Sequence, residues 1–501
     1  MALGIGYGLP FVAQHGTNPY KTQWTAAREG AKGAGASVED ENAGVGSCLV
    51  SRGQDVYTDG LPFTPSLLIV PQFYKDGNLY QDVPPFVAED STMRFTVSRN
   101  TTATRVNSSG LIESVASGVP RIDWLGQSCP ALLVEASGTN FARWVNQMTA
   151  QDTPTASGGM TITTGSTDFL APDGTSGSIT KYVGGAASGT SQYAYYSGGG
   201  ITVTASGQHT FSLFVKRGAT NPLTFCALGI ENYAGGSGTI YSYFNLASGT
   251  ALTAGASVQD YGNGWYRLST APYTLAAGDL TGTLTFFMAE GNGDLSWPAS
   301  GALNLTAYTW GAEFEPGSIA TTYIPTTTAA VSRAADVISA SGALVSGLIG
   351  QTEGTIYCEY IPVASGPAGA SFPTNIITSA RNINTNTGFS INHRQSDNKL
   401  QADFFIGDGT FGAITTLSGT VAFGNVVKVA FAYKTGDFAL AINGNVVQTT
   451  SVAFTSVTTI NTIELTNPTA YFGYAGTVRH RAAALYTTRL SNDQLAELTR
   501  L

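Results

Sequence analysis

Glu313 and Glu315 stand two residues apart, close to Trp310, in a chain of 501 residues. On a strand that spacing puts both carboxylates on one face, about 6.6–7 Å apart along the chain. Two carboxyl groups beside an indole could serve a glycosidase, one as acid and one as base or nucleophile, with the ring as a stacking surface for sugar. Pro316 follows at once. Charges two apart before a proline also describe the water-facing side of a strand that is ending.

Other chemistry is thinly supplied. The histidines His15, His209, His393 and His480 have no HxxxH or HExxH spacing, so no metalloprotease is expected. Neither a P-loop lysine nor a GxSxG elbow occurs. Glu359, Asp408 and Asp437 are scattered acids. Cys48, Cys129, Cys226 and Cys358 fall in four regions without a CxxC pair, so they are expected as free, buried thiols in a protein folded in a reducing cytoplasm. Tyrosines are the richer resource. Tyr193, Tyr195 and Tyr196, with Tyr233, Tyr241 and Tyr243, are candidates for a platform whose ring faces suit sugar C–H groups. Trp265 and Trp310 lie inside strand motifs and are expected in the core.

The elements that must position these residues are strands. Charged residues make up only 11% of the chain, while there are 60 glycines and 23 tyrosines; that composition suits β structure with many turns and excludes disorder. Net charge is −9 with no basic cluster, so no nucleic-acid groove is expected. The first residues lack a basic n-region and a long apolar h-region, so no signal peptide is expected. No apolar stretch of about 18 residues occurs, so no membrane insertion is expected either.

The expected fold class is mainly β: tandem β-sandwich, jelly-roll-like domains, a small irregular and partly helical N-terminal region, and a short C-terminal helix. Residues 1–88 read as an anchoring region, with a helix within 20–44 and a short buried strand in "PSLLIVPQF". Residues 89–140 read as an extended β connector of short pieces packed on a neighbouring domain. Residues 141–327 read as a sandwich, with Phe211, Leu213 and Val215 alternating inward. Residues 328–349 read as a linker and 350–501 as a second sandwich. In the latter, turns fall at Lys434–Asp437 and at Asn443-Gly444. Ser491 and Gln494 form a capping box for the last helix, with Leu495 and Leu498 as its apolar stripe.

Arg99, Thr102, Ala103, Thr104, Val106, Asn107 and the run Gly110-Leu111-Ile112 open a motif. It continues through Pro120, Arg121, Asp123, Leu132, Leu133, Glu135, Thr139 and Asn140. This pattern resembles a segment of tailed-bacteriophage fibre and spike proteins, with Arg105 where that family carries an aromatic. "FSLFVKRG" and "GNGWYRLS" are similar to strands of the carbohydrate-binding-module-like sandwich that follows it. The C-terminal part resembles a concanavalin-A-like, laminin-G-type jelly roll. The resemblance implies a structural virion protein of tail or head, made in the bacterial cytoplasm and not an enzyme. It would adhere to host surface glycans, dock on other virion proteins through its N-terminus and form a homotrimer. Alternatives are a capsid-decorating head fibre and a polysaccharide-cleaving tailspike. It implies structural roles for Arg99, Arg121 and Asp123, and calcium as the one metal such loops hold, here on Asp397, Asp403 and Asp408. It also makes "WGAEFEP" a closing strand, so Glu313 and Glu315 are expected to face water. Ser332-Arg333 echoes Ser98-Arg99, so Arg333 is expected to pin the linker to the domain after it.

Overall fold

The computed structural model describes residues 63, 65–69, 74–75, 78–80, 94–127, 130–143, 155–157, 159–185, 191–195, 201–204, 206–233, 238–278, 281–296, 304–364, 374–382, 384–385, 387–394, 399–405, 413–421, 424–453, 459–465 and 477–501. They form two antiparallel β-sandwiches and two short helices, so the expected fold class holds. The helix expected within 20–44 lies outside the described residues.

In the first sandwich, one sheet is ordered Thr155–Ser157, Gln192–Tyr195, Thr281–Ala289, Phe225–Glu231, Ile240–Asn245, Thr250–Ala251. The facing sheet is ordered Thr161–Ser166, Ile179–Val183, Thr306–Pro316, Gly207–Arg217, Trp265–Ser269, Ser257–Asp260. Phe211, Leu213 and Val215 are fully buried and meet Cys226, Leu228 and Phe286 of the other sheet in one core. Period-two alternation of apolar residues sets this, as the sequence indicates.

The second sandwich is assembled from distant parts of the chain. One sheet is ordered Asn445–Thr450, Phe438–Ile442, Val427–Lys434, Glu353–Ala364, Thr477–Tyr486, Ala131–Val134, Arg121–Asp123, and Leu67–Ile69 also lies along Thr477–Tyr486. The other runs Tyr74–Lys75, Asn78–Tyr80, Arg94–Ser98, Val337–Ser341, Thr462–Leu465, Thr374–Asn382, Thr387–Arg394, Lys399–Phe405, Ala413–Thr420. Asn443 and Gly444 take φ of 49° and 85°, the left-handed pair that a two-residue hairpin needs. Ser491 and Gln494 form the capping box of the helix Asn492–Leu498. Leu495 and Leu498 of that helix pack on Ala430, Ala439, Ala482 and Ala484, small residues that leave room for it on the sheet's outer face.

The chain therefore starts the second sandwich, leaves it to build the first, and returns to finish it. The segment 89–140 contributes Arg94–Ser98, Arg121–Asp123 and Ala131–Val134 as strands of the second sandwich's sheets. The segment 328–349 is no linker, because it holds Val331–Arg333, Val337–Ser341 and the helix Ala343–Leu348. At the neck the outgoing strand Gly138–Asn140 pairs with the returning strand Val331–Arg333. The Thr139 and Ser332 hydroxyls meet there at 2.8 Å.

Around this neck five arginines, Arg99, Arg121, Arg267, Arg333 and Arg479, face five acids, Asp123, Glu135, Glu313, Glu315 and Asp336, none more than 6% exposed. Arg99 bonds Asp336 at 2.6 Å, Arg121 bonds Glu135 at 2.7 Å and also reaches Asp336, and Arg479 bonds Asp123 at 2.8 Å. Arg333 lies 3.4 Å from Glu135. Glu135 also accepts from Thr322 N at 3.0 Å and from the Thr477 hydroxyl at 3.3 Å. One carboxylate thus joins the outgoing strand, the exit of the first sandwich and the second sandwich. Charges this deep persist only when paired, and removing one partner strands the other. Arg333 pins the returning strand to Glu135, which lies between the strand Ala131–Val134 and the outgoing strand Gly138–Asn140.

Candidate functional site

Glu313 and Glu315 do not face water; both are 0% exposed. They lie on the outer side of their sheet, on the face opposite Phe314, and a β-bulge sets Trp310 beside them there. Phe214, Ser212 and Thr210 share one face of their strand and lie opposite Trp310, Glu313 and Glu315 respectively. The step from Trp310 to Glu313 absorbs one extra residue at Gly311, whose φ is +59°. Without the bulge, Trp310 and the two acids would point to opposite faces.

The returning chain covers that shared face. Ile324 N donates to Glu313 at 3.2 Å, and Thr321 N and its hydroxyl donate to Glu315 at 2.6 and 2.8 Å. Arg267 pairs with Glu313 and donates to the Thr321 carbonyl. Burial, then the charge of Glu315, pushes Glu313 well above the usual carboxylate range. Burial pushes Glu315 up to about 7, against the pull of Arg267. These carboxylates bind their own chain, which accounts for them without catalysis. Trp310 is buried against Tyr323, with ring centroids 4.6 Å apart. Trp265 is buried too, its indole donating to Leu170 O at 3.0 Å.

The face that remains available lies on the other sheet of the first sandwich. Its inner side carries Ala194, Leu228, Phe244 and Phe286. On its outer side, register puts Tyr193, Phe287, Ala227 and Tyr243 in one row across four strands. Tyr195, Thr285, Gly229 and Tyr241 form the next row, and Glu231 lies two residues beyond Gly229 opposite Thr283. Tyr193, Tyr241 and Tyr243 are partly exposed. The Tyr193 and Tyr241 rings flank Phe287 at centroid distances of 5.1 and 5.3 Å, the second edge-on at 90°. A Cβ on Gly229 would sit 3.1 Å from Phe287 Cε2 and 3.2 Å from Tyr241 Cε1. Glycine lets both rings lie across the central strand, where Phe287 is 4% exposed and Tyr193, Tyr241 and Tyr243 supply the reachable surface.

A carboxylate edges the rings. Glu231 accepts from the Tyr241 hydroxyl at 2.6 Å and from the Thr285 hydroxyl. Burial, then the bond to Glu231, raises Tyr241, and burial, then the charge of Asp294, raises Tyr243. Flat apolar ring faces beside fixed oxygen acceptors are a surface for a pyranose, whose C–H face stacks while its hydroxyls donate.

The structure brings Tyr193, Tyr241 and Tyr243 together and places Tyr195 at the adjoining register position. Tyr196 lies outside the described residues. Tyr233 is not on this face: it is 4% exposed, packs on Phe314, and donates to the Ile201 carbonyl at 3.2 Å. Its position past the end of the strand Phe225–Glu231 lets it turn into the core. Phe287 and Glu231 escaped the sequence reading. In "TLTFFMAE" two adjacent phenylalanines cannot both face inward on a strand, which was the available signal.

Asp403 is buried and accepts from Asn392 Nδ2 at 2.6 Å. Asp397 and Asp408 lie outside the described residues. Among the described residues no group of three or more His, Cys, Asp or Glu side chains is arranged for a metal ion. Cys226 and Cys358 are free and buried; Cys48 and Cys129 lie outside the described residues.

No family model and no curated protein matches the chain. Solved structures overlap parts of it. A leech intramolecular trans-sialidase with 2,7-anhydro-Neu5Ac matches at 18% identity and a TM-score of 0.25, over 32% of this chain and 26% of that one. The chain thus spans about a quarter of the leech enzyme. The Ruminococcus gnavus IT-sialidase CBM40 with α2,3-sialyllactose matches at 19% identity and a TM-score of 0.24, over 30% of this chain and 84% of that one. A heptameric SAP-like pentraxin from Limulus polyphemus matches at 14% identity and a TM-score of 0.24, over 29% of this chain and 69% of that one.

Proposed function

We propose that the protein is a non-catalytic, glycan-binding adhesin, a fibre or spike protein of a tailed-bacteriophage virion. The carrying observation is the aromatic face on which the partly exposed Tyr193 and Tyr241 flank Phe287, with Tyr243 in the same register row and Glu231 bonded to Tyr241. The neck supports the adhesive role, since Thr322 at the exit of the first sandwich bonds the paired Arg121 and Glu135 and so ties that sandwich to the second as a firm mount. The virion setting rests on the motif from Arg99 to Asn140, with the N-terminal region docking on another virion protein. Shallow binding at each face gains strength when copies act together in a trimer.

The test is retention of the protein on purified host surface polysaccharide, with reducing ends assayed alongside. Tyr193→Ala with Tyr241→Ala is expected to weaken retention at least about tenfold, with no release of reducing ends. Unchanged retention removes the glycan face, and sustained release of reducing ends removes the non-catalytic reading. Antibody labelling of purified particles tests the virion setting, and unlabelled particles refute it.

A further inference from the structure

We infer that the aromatic face selects uncharged or amino sugars and rejects carboxylated ones such as sialic or uronic acids. The inference rests on the proposal that this face binds glycans, and it names the class of sugar. Its basis is the fixed position of Glu231. The Tyr241 hydroxyl holds one carboxylate oxygen at 2.6 Å, and the Thr285 hydroxyl holds the other. Each donor occupies one acceptor position, and an ionised carboxylate offers about four. Glu231 is partly exposed next to Tyr241, so its remaining acceptor positions can take a donor from a sugar stacked there.

After burial, the carboxylate of Glu231 is what raises Tyr241 and that of Asp294 what raises Tyr243, so each phenol has an anion beside it. A hydroxyl or ammonium donates to such an acceptor and gains a charge-assisted bond. A sugar carboxylate there would set two anions together at a partly dehydrated surface, which rejects it by repulsion. The chain's net charge of −9 adds in the same direction at long range.

The experiment uses the full chain on an array of matched neutral, amino and carboxylated oligosaccharides, including lactose, chitosan tetramer and 3′-sialyllactose. Wild type is expected to bind neutral or amino members at least about tenfold more tightly than their carboxylated counterparts. Glu231→Gln keeps the shape and can still accept from Tyr241. It is expected to weaken binding of neutral sugars and to narrow the gap to within about threefold. Carboxylated members bound as tightly as neutral ones, with both lost in Tyr241→Ala, would overturn the charge selection and leave the glycan face standing. Signals that are absent, or indifferent to Tyr193→Ala and Tyr241→Ala, overturn the face itself. An unchanged thermal transition in each variant excludes misfolding as the cause.

Discussion

Burial moves Glu315 from 4.5 up to about 7, against the pull of Arg267 and the two Thr321 donors. Between those values the folded chain keeps a proton that the unfolded chain releases. The stability this gives is complete below 4.5 and is lost as pH rises through 7. His209 and His480 act in the opposite sense. Burial keeps both rings neutral, His480 down to about 3, so they cost stability as pH falls below 6.5. Comparing Glu315→Gln with wild type isolates the acid. The amide can keep both Thr321 contacts and carries no charge to bury. Its advantage is expected to be small at pH 4.5 and to grow to the order of 3 kcal/mol at pH 8, read from urea midpoints. Removing the repulsion on Glu313 acts in the same direction. An advantage that does not change with pH would show that Glu315 ionises as readily folded as unfolded. From sequence these acids could be placed on one strand face, but not under the chain that returns over them.

The bulge at Gly311 is the element that sets Trp310 on the same face as Glu313 and Glu315. Its φ of +59° belongs to the left-handed region, and a Cβ there would lie 3.0 Å from Phe214 Cδ2 and 3.2 Å from Tyr323 Cε2. Gly311→Ala is expected to cost about 1–3 kcal/mol in chemical denaturation, with the Trp310–Tyr323 stack disturbed in the near-ultraviolet spectrum. A loss below about 0.5 kcal/mol would mean the strand tolerates a regular register there. The regular elements were legible because each obeys a local rule. Alternation gave Phe211, Leu213 and Val215, the Asn443-Gly444 pair gave its hairpin, and Ser491 with Gln494 gave the last helix. The bulge breaks the period of two, so a regular count from the acids would set Trp310 on the opposite face from them, with Ala312 and Phe314. A glycine inside "YTWGAEFEP" was the trace it left.

At the scale of the whole molecule, the first sandwich is an insertion into the second. Leu68 pairs with Ala484 and Leu133 with Arg479, contacts between residues more than 300 positions apart that no local pattern records. Composition and turn signals bounded the first sandwich at 141–327, which holds all its strands, but cut the second at 350, which leaves out its strands before 141 and Val337–Ser341. A fragment of residues 350–501 would keep the strand Thr477–Tyr486 but lose both strands along one of its edges, Leu67–Ile69 and Ala131–Val134. It would also leave Arg479 without Asp123, and Glu464 without the neighbouring strand Val337–Ser341. The core of the second sandwich would lack Leu67, Phe95, Ile122, Leu132, Val134 and Ile338. Such a fragment is expected to show no cooperative thermal transition. The outgoing and returning strands already pair at Asn140 and Val331, so a short turn can join them at small entropic cost. Residues 63–140 joined in this way to 331–501 are expected to fold with one sharp transition, below that of the full chain because Glu135 loses its Thr322 donors. Calorimetry on the two fragments decides the matter. A sharp transition in 350–501, or none in the joined fragment, would show that the sandwiches are consecutive units and not one nested in the other.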